Sequence, residues 1–141
     1  MRAVLDPNVI ISATLSPGGS PGRLFRSWLD GAFELVVSPF LLDELERALG
    51  YSKLRERVTT DETQELLEVL ARAGVTVRDP DVPAEVRSPD PDDDYLIALA
   101  SISRSVLVSG DNDLLGLSDR IPVYSPAQFL AMIEDRTSNS S

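Results

Sequence analysis

Short apolar segments that run directly into helix-start signals are the feature that most restricts the fold of this chain. Residues 3–5 lead into Asp6 and Pro7, and residues 33–38 lead into Pro39. Asp and Ser are favoured helix caps, and proline is favoured at the first helical position. A strand followed at once by a helix is the repeating unit of a parallel sheet. The sequence therefore predicts an α/β fold with a central, mainly parallel sheet.

The rest of the chain continues the alternation of strands and helices. Strands are predicted over residues 3–5, 33–38, 75–77, 105–111 and 121–124. Helices are predicted over residues 7–15, 23–31, 38–50, 59–74, 95–103 and 125–135, with loops over 16–22 and 78–94. Four to five strands covered on both faces make a three-layer α/β/α fold. We expect one domain over residues 1–134 and a disordered tail over 135–141.

The composition excludes several kinds of chemistry. Cysteine and histidine are both absent, which removes disulfides, thiolate catalysis and the commonest zinc ligand. No apolar run reaches the roughly 18 residues that a membrane span needs, and the start of the chain lacks a signal-peptide pattern, so a cytoplasmic location is expected. The net charge is −10, from 23 Asp and Glu against 13 Lys and Arg. This balance argues against avid nonspecific binding of nucleic acid.

Carboxylates from four separate parts of the chain are predicted to meet at one edge of the sheet. They follow the first and fourth strands, lie on the helix after the second strand, or open the helix before the fourth: Asp6, Glu44, Asp92, Asp93, Asp94, Asp111 and Asp113. Parallel sheets bind ligands at the carboxyl ends of their strands. Crowded carboxylates without basic partners favour a hard cation, and oxygen ligands suit Mg²⁺ or Mn²⁺. The pattern indicates metal-assisted phosphoryl chemistry.

Each of these acids also has an ordinary structural explanation. Asp6 alone is a helix cap, and the acids of DPDDD suit a solvated loop that begins a helix. The segment GDNDLL suits a turn. Periodicity does not choose between Glu44 and Glu46, which flank the apolar stripe of one helix on opposite sides. The shared edge of the sheet is what favours a site over four unrelated surface features.

Four segments together resemble the PIN-domain family: VLDPNVIISATL, VVSPFLLDELERAL, DPDDDYLIALA and VLVSGDNDLL. Their order and spacing are similar to those of the VapC-like ribonucleases, the toxins of toxin–antitoxin pairs. The resemblance extends from Ala3 to about Ile133. It implies a compact α/β fold, a Mg²⁺- or Mn²⁺-dependent endoribonuclease that cleaves RNA, a cognate antitoxin and a homodimer.

The resemblance also implies roles for individual residues. The catalytic acids it implies are Asp6, Glu44, Asp94 and Asp111. The metal ligands it implies are Asp6, Asp94, Asp111 and Asp113, with supporting roles for Asn8, Ser109, Asp92 and Asp93. Asp94 is preferred to its two neighbours because the spacing Asp-x-x-Ile-Ala fits it best.

Pro7 departs from the family pattern, in which Thr or Ser is common at this position. Proline supplies neither the hydroxyl nor the backbone N–H that would support the first acid. The alternative function is therefore a catalytically weakened PIN domain that binds RNA or a protein. A phosphatase with an Asp nucleophile is a third interpretation, and it is disfavoured because Asn8 stands where haloacid-dehalogenase-like enzymes carry a second Asp.

Overall fold

The computed structural model describes residues 1–139, with only the backbone described for Ser52 and residues 137–139. Within this part of the chain the strands are β1 Arg2–Leu5, β2 Glu34–Val37, β3 Val75–Thr76, β4 Val106–Val108 and β5 Val123–Tyr124. The helices are α1 Pro7–Leu15, α2 Ser20–Leu29, α3 Pro39–Leu49, α4 Ser52–Arg55, α5 Thr60–Ala73, α6 Asp94–Ile102, α7 Asn112–Leu115 and α8 Pro126–Asn139. A short 3₁₀ turn, Pro91–Asp93, precedes α6.

The strands form one sheet in the order β3-β2-β1-β4-β5, and every pairing is parallel. The first strand is thus the central one, with Val4 opposite Val36 of β2 and Leu107 of β4. The predicted α/β class with a parallel sheet of four to five strands is confirmed.

The carboxyl ends of the three central strands define one edge of the molecule. Leu5, Val37 and Val108 end these strands and are buried. The backbone N–H of Asp6 donates to the Val108 carbonyl at 2.9 Å, which continues the pairing of β1 with β4 by one residue. The position of Asp6, the residue that follows β1, is therefore fixed by the sheet itself.

Helices cover the sheet in two layers. In one layer α1 packs against α2 and α3, and α2 packs against α8. On the other side α6 packs on β1 and β4 and buries a continuous run of its residues, from Leu96 to Ala100. None of the helices within residues 1–139 has both the length and the apolar character required to cross a membrane.

The strands after β1 are shorter than predicted, and β4 in particular ends at Val108 rather than at residue 111. Two helix boundaries differ as well. Helix α2 begins at Ser20 rather than at residue 23, because Pro21 occupies its first turn and Gly22 packs against the preceding loop. At the end of the chain, α8 continues to Asn139, since no glycine or proline interrupts it. Residues 135–139 of the predicted tail are therefore helical in backbone, whereas residues 140 and 141 of that tail lie outside the described residues.

Candidate active site

Asp6 is a buried acid held in place by two hydrogen bonds. It is 5% exposed and caps α1. Its Oδ1 accepts the backbone N–H of Asn8 at 3.0 Å, and its Oδ2 accepts the hydroxyl of Ser109 at 2.8 Å. Burial raises the pKa of Asp6, the two hydrogen bonds act in the opposite direction, and the charge of Asp111 raises it further. The carboxylate is thus both a helix cap and a fixed negative group at the sheet edge.

Ser109 connects the acids that follow β1 and β4. It is fully buried, and its Oγ donates to Asp6 while accepting the backbone N–H of Asp111 at 3.0 Å. Asp111 in turn caps α7, with its Oδ1 accepting the backbone N–H of Asp113 at 2.9 Å. A single hydroxyl therefore sets the position of Asp111 relative to Asp6.

Asp93 brings a third carboxylate to this pair. Burial is the main reason that its pKa rises to about 7, and a proton shared with Asp111 and the charges of Asp6 and Asp111 add to the shift. Its Oδ2 is buried and has no hydrogen-bond partner among the described residues. When all three groups are ionised, this oxygen faces other negative charges without a donor.

Asp94, the acid preferred from the sequence pattern, points elsewhere. Its Oδ1 accepts the backbone N–H of Ser88 at 2.7 Å, and its Oδ2 lies 3.4 Å from Nη1 of Arg87. The 3₁₀ turn ends at Asp93, and one further residue along the helix rotates a side chain by about 100°. The structure therefore places Asp93, and not Asp94, beside Asp6 and Asp111. The spacing Asp-x-x-Ile-Ala, on which the preference for Asp94 was based, does not reveal that a 3₁₀ turn precedes the helix.

Glu44 lies on α3, near the same edge but outside the three-carboxylate group. Its side chain is 27% exposed, and both carboxylate oxygens contact Nη2 of Arg47, the nearer at 2.5 Å. Glu46 instead accepts a hydrogen bond from Nε2 of Gln64 on α5, at 3.0 Å. Helical periodicity did not distinguish Glu44 from Glu46. In the structure Glu46 faces α5, and Glu44 is the one that lies near the acids.

Three further residues that the resemblance implied, the supporting Asn8 and Asp92 and the metal ligand Asp113, are exposed and make hydrogen bonds through their backbone N–H groups. Asn8 is exposed, and its N–H rather than its amide side chain holds Asp6. Asp113 is exposed and likewise contributes its N–H to Asp111. Asp92 is exposed, with its N–H bonded to Oδ1 of Asp90.

Two neighbours of the acids were not identified from the sequence. Arg47 holds Glu44, and Tyr95 lies close enough to Asp6, Glu44 and Asp93 for their charges to raise its pKa, after the larger effect of burial. Arg47 follows Glu44 by three residues, a spacing at which helical side chains meet. From that spacing the contact between Arg47 and Glu44 could have been predicted. No comparable spacing in the sequence indicates that Tyr95 lies near the acids.

The donor set suits a hard divalent cation. Asp6, Asp93 and Asp111 offer only carboxylate oxygens, the ligands that Mg²⁺ and Mn²⁺ prefer. The buried, unpartnered Oδ2 of Asp93 is the observation that fits such an ion best. In their present side-chain positions, however, the described residues form no preassembled group of three acids that could hold a metal ion. Crowded carboxylates repel one another when ionised, and a bound cation would offset that repulsion.

Cavity size does not locate this site. A cavity of about 420 Å³ opens at Asp6 and is also lined by Asn8, Gly110 and Asp111. A larger one, about 760 Å³, lies at the amino end of the sheet and includes Arg2 and the loop before β4. Because ligands of parallel sheets bind at the carboxyl ends of the strands, the smaller cavity is the one at the expected place.

A sequence model of the PIN domain matches residues 2–113. The chain belongs to the PIN domain family. The match includes all the acids at the sheet edge, from Asp6 to Asp113. PIN domains are generally nucleases. An uncharacterized protein of Methanocaldococcus jannaschii is 28% identical to this PIN domain over 146 aligned positions, covering 95% of this chain and 92% of the relative.

Solved structures share the fold of this PIN domain. One is a chain of VapBC2 from Rickettsia felis, bound to a DNA fragment from its promoter, with a TM-score of 0.59 and 14% identity over 89% of this chain and 98% of that one. Another is a chain of FitAB bound to the IR36 DNA fragment, with a TM-score of 0.55 and 20% identity over 88% of this chain and 94% of that one. At these identities the likeness is one of fold.

Proposed function

We propose that this PIN domain is a metal-dependent endoribonuclease that cleaves RNA phosphodiester bonds as the toxin of a toxin–antitoxin pair. The observation that supports this most directly is the meeting of Asp6, Asp93 and Asp111 at the carboxyl edge, with one buried carboxylate oxygen unpartnered among the described residues. In a family of nucleases, such a donor set matches Mg²⁺ or Mn²⁺.

The proposed ligands are Asp6, Asp93 and Asp111, with Glu44 as a fourth acid at the rim. Bound there, the cation would neutralise the phosphodiester and activate a water. The hydrogen bonds from Ser109 and from the N–H of Asn8 keep Asp6 in one orientation, so this ligand loses little conformational entropy on binding. In the proposed reaction the oxygen of water would bond to phosphorus as the bond from phosphorus to the sugar oxygen breaks. A carboxylate would take the proton of the water, and that proton would pass to the leaving sugar oxygen.

The proposed partners follow from the same site and from the family. VapBC2 and FitAB are two-component complexes bound to DNA, which supports a cognate antitoxin for this chain. An acidic edge suits a basic segment of that partner, since the net charge of the chain is −10. We also propose that the chain forms a homodimer, as the family resemblance implies.

Cleavage of single-stranded RNA in Mn²⁺ or Mg²⁺ tests the function and the ligand assignment together. We expect D6N, D93N and D111N to lose at least about 100-fold in activity, beyond the typical loss for a residue that only supports a metal ligand. The matched comparison is D94N, which changes the adjacent acid and should cost less than D93N. Cleavage that survives in both D6N and D93N would exclude this site.

The alternative is a catalytically weakened PIN domain that binds RNA or protein without cleavage. The spread of the carboxylates among the described residues and the presence of Pro7 favour it. Against it, Pro7 occupies the first position of α1, where a backbone N–H would have no partner within the helix, and both oxygens of Asp6 are already hydrogen-bonded. The variant P7T separates the two: a large gain in cleavage or in Mn²⁺ affinity indicates weakening, whereas an active wild type with an unchanged P7T excludes it.

A further inference from the structure

An aromatic cavity lies beside the carboxylate edge. The rings of Phe40 and Tyr95 meet edge to face, with centroids 4.7 Å apart and planes at 74°. Phe40 is 46% exposed, although it is a large apolar side chain in the first turn of α3. Together with Asp79, Asp94 and Ala98 these rings line a cavity of about 310 Å³. This volume is at the lower end of the range for small-ligand pockets, about 300–1,000 Å³.

The cavity adjoins the candidate active site through Tyr95, although the two cavities share no lining residue. Asp94 and Tyr95 line it and directly follow Asp93 in the chain. Tyr95 lies within electrostatic reach of Asp6 and Glu44. A single strand of RNA whose phosphate is at the carboxylates would therefore have a nearby nucleotide on the side of Tyr95, where this cavity opens.

The polar groups of the cavity are acceptors. Asp79 uses Oδ2 to accept the backbone N–H of Phe40 at 3.0 Å, and among the described residues no donor contacts its other oxygen. Asp81 adds a carboxylate that is 3.9 Å from Arg78. Such a lining repels phosphate, but it suits a flat, neutral group that carries N–H donors. A nucleobase with an amino group has these properties, and its face can stack on an aromatic ring.

We propose that this cavity is a base subsite, in which a base of single-stranded RNA stacks on Phe40 and donates an amino hydrogen to Asp79. The inference rests on the proposed function, because it takes the phosphate of the same RNA to lie at the carboxylate edge. Cytosine has an amino donor at C4 and an acceptor at N3, whereas uracil has a carbonyl acceptor at C4 and an N–H at N3. In the proposed contact the group at C4 faces Asp79. The subsite therefore selects cytosine over uracil.

Stacking is tested by binding, without turnover. Short single-stranded RNAs carrying 2-aminopurine are titrated against the full chain in Ca²⁺ instead of Mg²⁺, and quenching of the fluorophore reports stacking. We expect F40A to weaken binding by about 5- to 150-fold, the range for loss of one base–aromatic stack. F40W should restore both affinity and quenching, whereas F40L, which keeps the apolar bulk but not the ring, should not. I102A is the control, since Ile102 is 59% exposed at the far end of α6.

Base selection is tested with RNAs that differ only by cytosine or uracil at one position. Wild type should bind the cytosine RNA at least about 5-fold more tightly, as expected for one hydrogen bond to a charged acceptor. In D79N the amide oxygen still accepts the N–H of Phe40, but the amide nitrogen now offers a donor to the cavity. The preference should then reverse toward uracil. An unchanged preference in D79N overturns the assignment of Asp79.

The failures of this inference and of the proposed function can be told apart. If wild type cleaves RNA in an Asp6-dependent manner and F40A behaves like I102A, the subsite is wrong and the nuclease stands. If wild type binds and quenches through Phe40 but cleaves nothing in Mn²⁺ or Mg²⁺, the nuclease is wrong and the subsite stands. Absence of any RNA binding by wild type overturns both. A cavity that instead receives an antitoxin side chain predicts an unchanged F40A in the RNA assays, which also overturns the subsite.

Discussion

Ser109 shows how one buried hydroxyl can determine the geometry of a site. It contacts Asp6, from which it is separated by 103 residues, and it receives the N–H of Asp111. The acids at positions 6 and 111 could be identified from the sequence because Asp6 directly follows β1 and Asp111 comes three residues after the end of β4. The sequence pattern preferred Asp94 to Asp93, because it does not reveal the 3₁₀ turn that begins after the cap Asp90 and ends at Asp93. Local geometry, rather than composition or spacing, makes that distinction.

Removing the hydroxyl of Ser109 should uncouple the two acids. In S109A, Oδ2 of Asp6 stays buried without a donor, which costs about 1–3 kcal/mol of folding free energy. We expect Mn²⁺ affinity to fall about 10- to 100-fold, as is typical for loss of a group that orients a metal ligand. Isothermal titration calorimetry and urea unfolding measure the two effects. S103A is the control, because Ser103 is also buried and bonded, yet its partners are Leu99 and Ser105; an equal loss of Mn²⁺ affinity in S103A would contradict the role of Ser109.

The stability of the metal-free protein should depend on Asp93. Its pKa is about 7 in the folded protein, against an ordinary value of 3.8, so the folded state binds the more protons between these values. The unfolding free energy should therefore decrease as the pH rises from about 4 to about 7. Urea unfolding across this range in EDTA measures the slope. D93N should reduce that decrease, and an identical pH profile in D93N would refute the assignment.

At the level of elements, most helix boundaries could be predicted because proline, glycine and capping residues mark where helices begin and end. Helix α5 has a full capping box, in which Thr59 and Glu62 bond to one another's backbone, and α3 begins with Ser38 and Pro39 as expected. Helices α4 and α7 were missed because four residues are too few to display a helical period. The start of α2 was misplaced because a segment rich in glycine and proline was interpreted as loop alone, although Pro21 also suits a helix start.

Gly22 provides a test of that helix start. A Cβ at this position would lie 2.1 Å from the carbonyl oxygen of Pro17, so G22A must displace backbone. We expect a destabilisation of about 1–3 kcal/mol, the usual range for overpacking. G18A is the matched control, since a Cβ added to the nearby Gly18 would have no described atom within 4 Å. Equal urea midpoints for the two variants would show that α2 does not pack on this loop.

For the whole molecule, the parallel α/β class was predictable because nearly every strand pattern is followed by a helix pattern. The strand order was not, since it depends on which strands meet across long connections. The order β3-β2-β1-β4-β5 brings the ends of β1 and β4 together, and the acids after them become neighbours. The net charge of −10 is likewise a property of the whole molecule, and it produces an electrostatic potential around the site that repels RNA.

Binding of RNA should consequently depend on divalent cations. At moderate ionic strength we expect EDTA to weaken binding by at least about 10-fold, because phosphate then meets uncompensated carboxylates. In EDTA, added NaCl should leave the residual affinity unchanged or increase it, in contrast to basic proteins, whose affinity falls steeply with salt. Fluorescence anisotropy of a labelled RNA measures both. A residual affinity that falls steeply with NaCl would instead indicate a basic RNA-binding surface.

The central position of β1 has a consequence for how the protein matures. This strand leaves the ribosome before the other four described strands, yet its partner β4 begins at Val106, and Ser109 follows only after that strand. Pairings between such distant segments form late, because closing a long loop precedes the gain from contact. A nascent chain that lacks β4 has Asp6 without its hydroxyl donor and without Asp111. The candidate nuclease is thus incomplete until most of its sequence has been synthesised, which delays the assembly of its site beside the ribosome and its RNA.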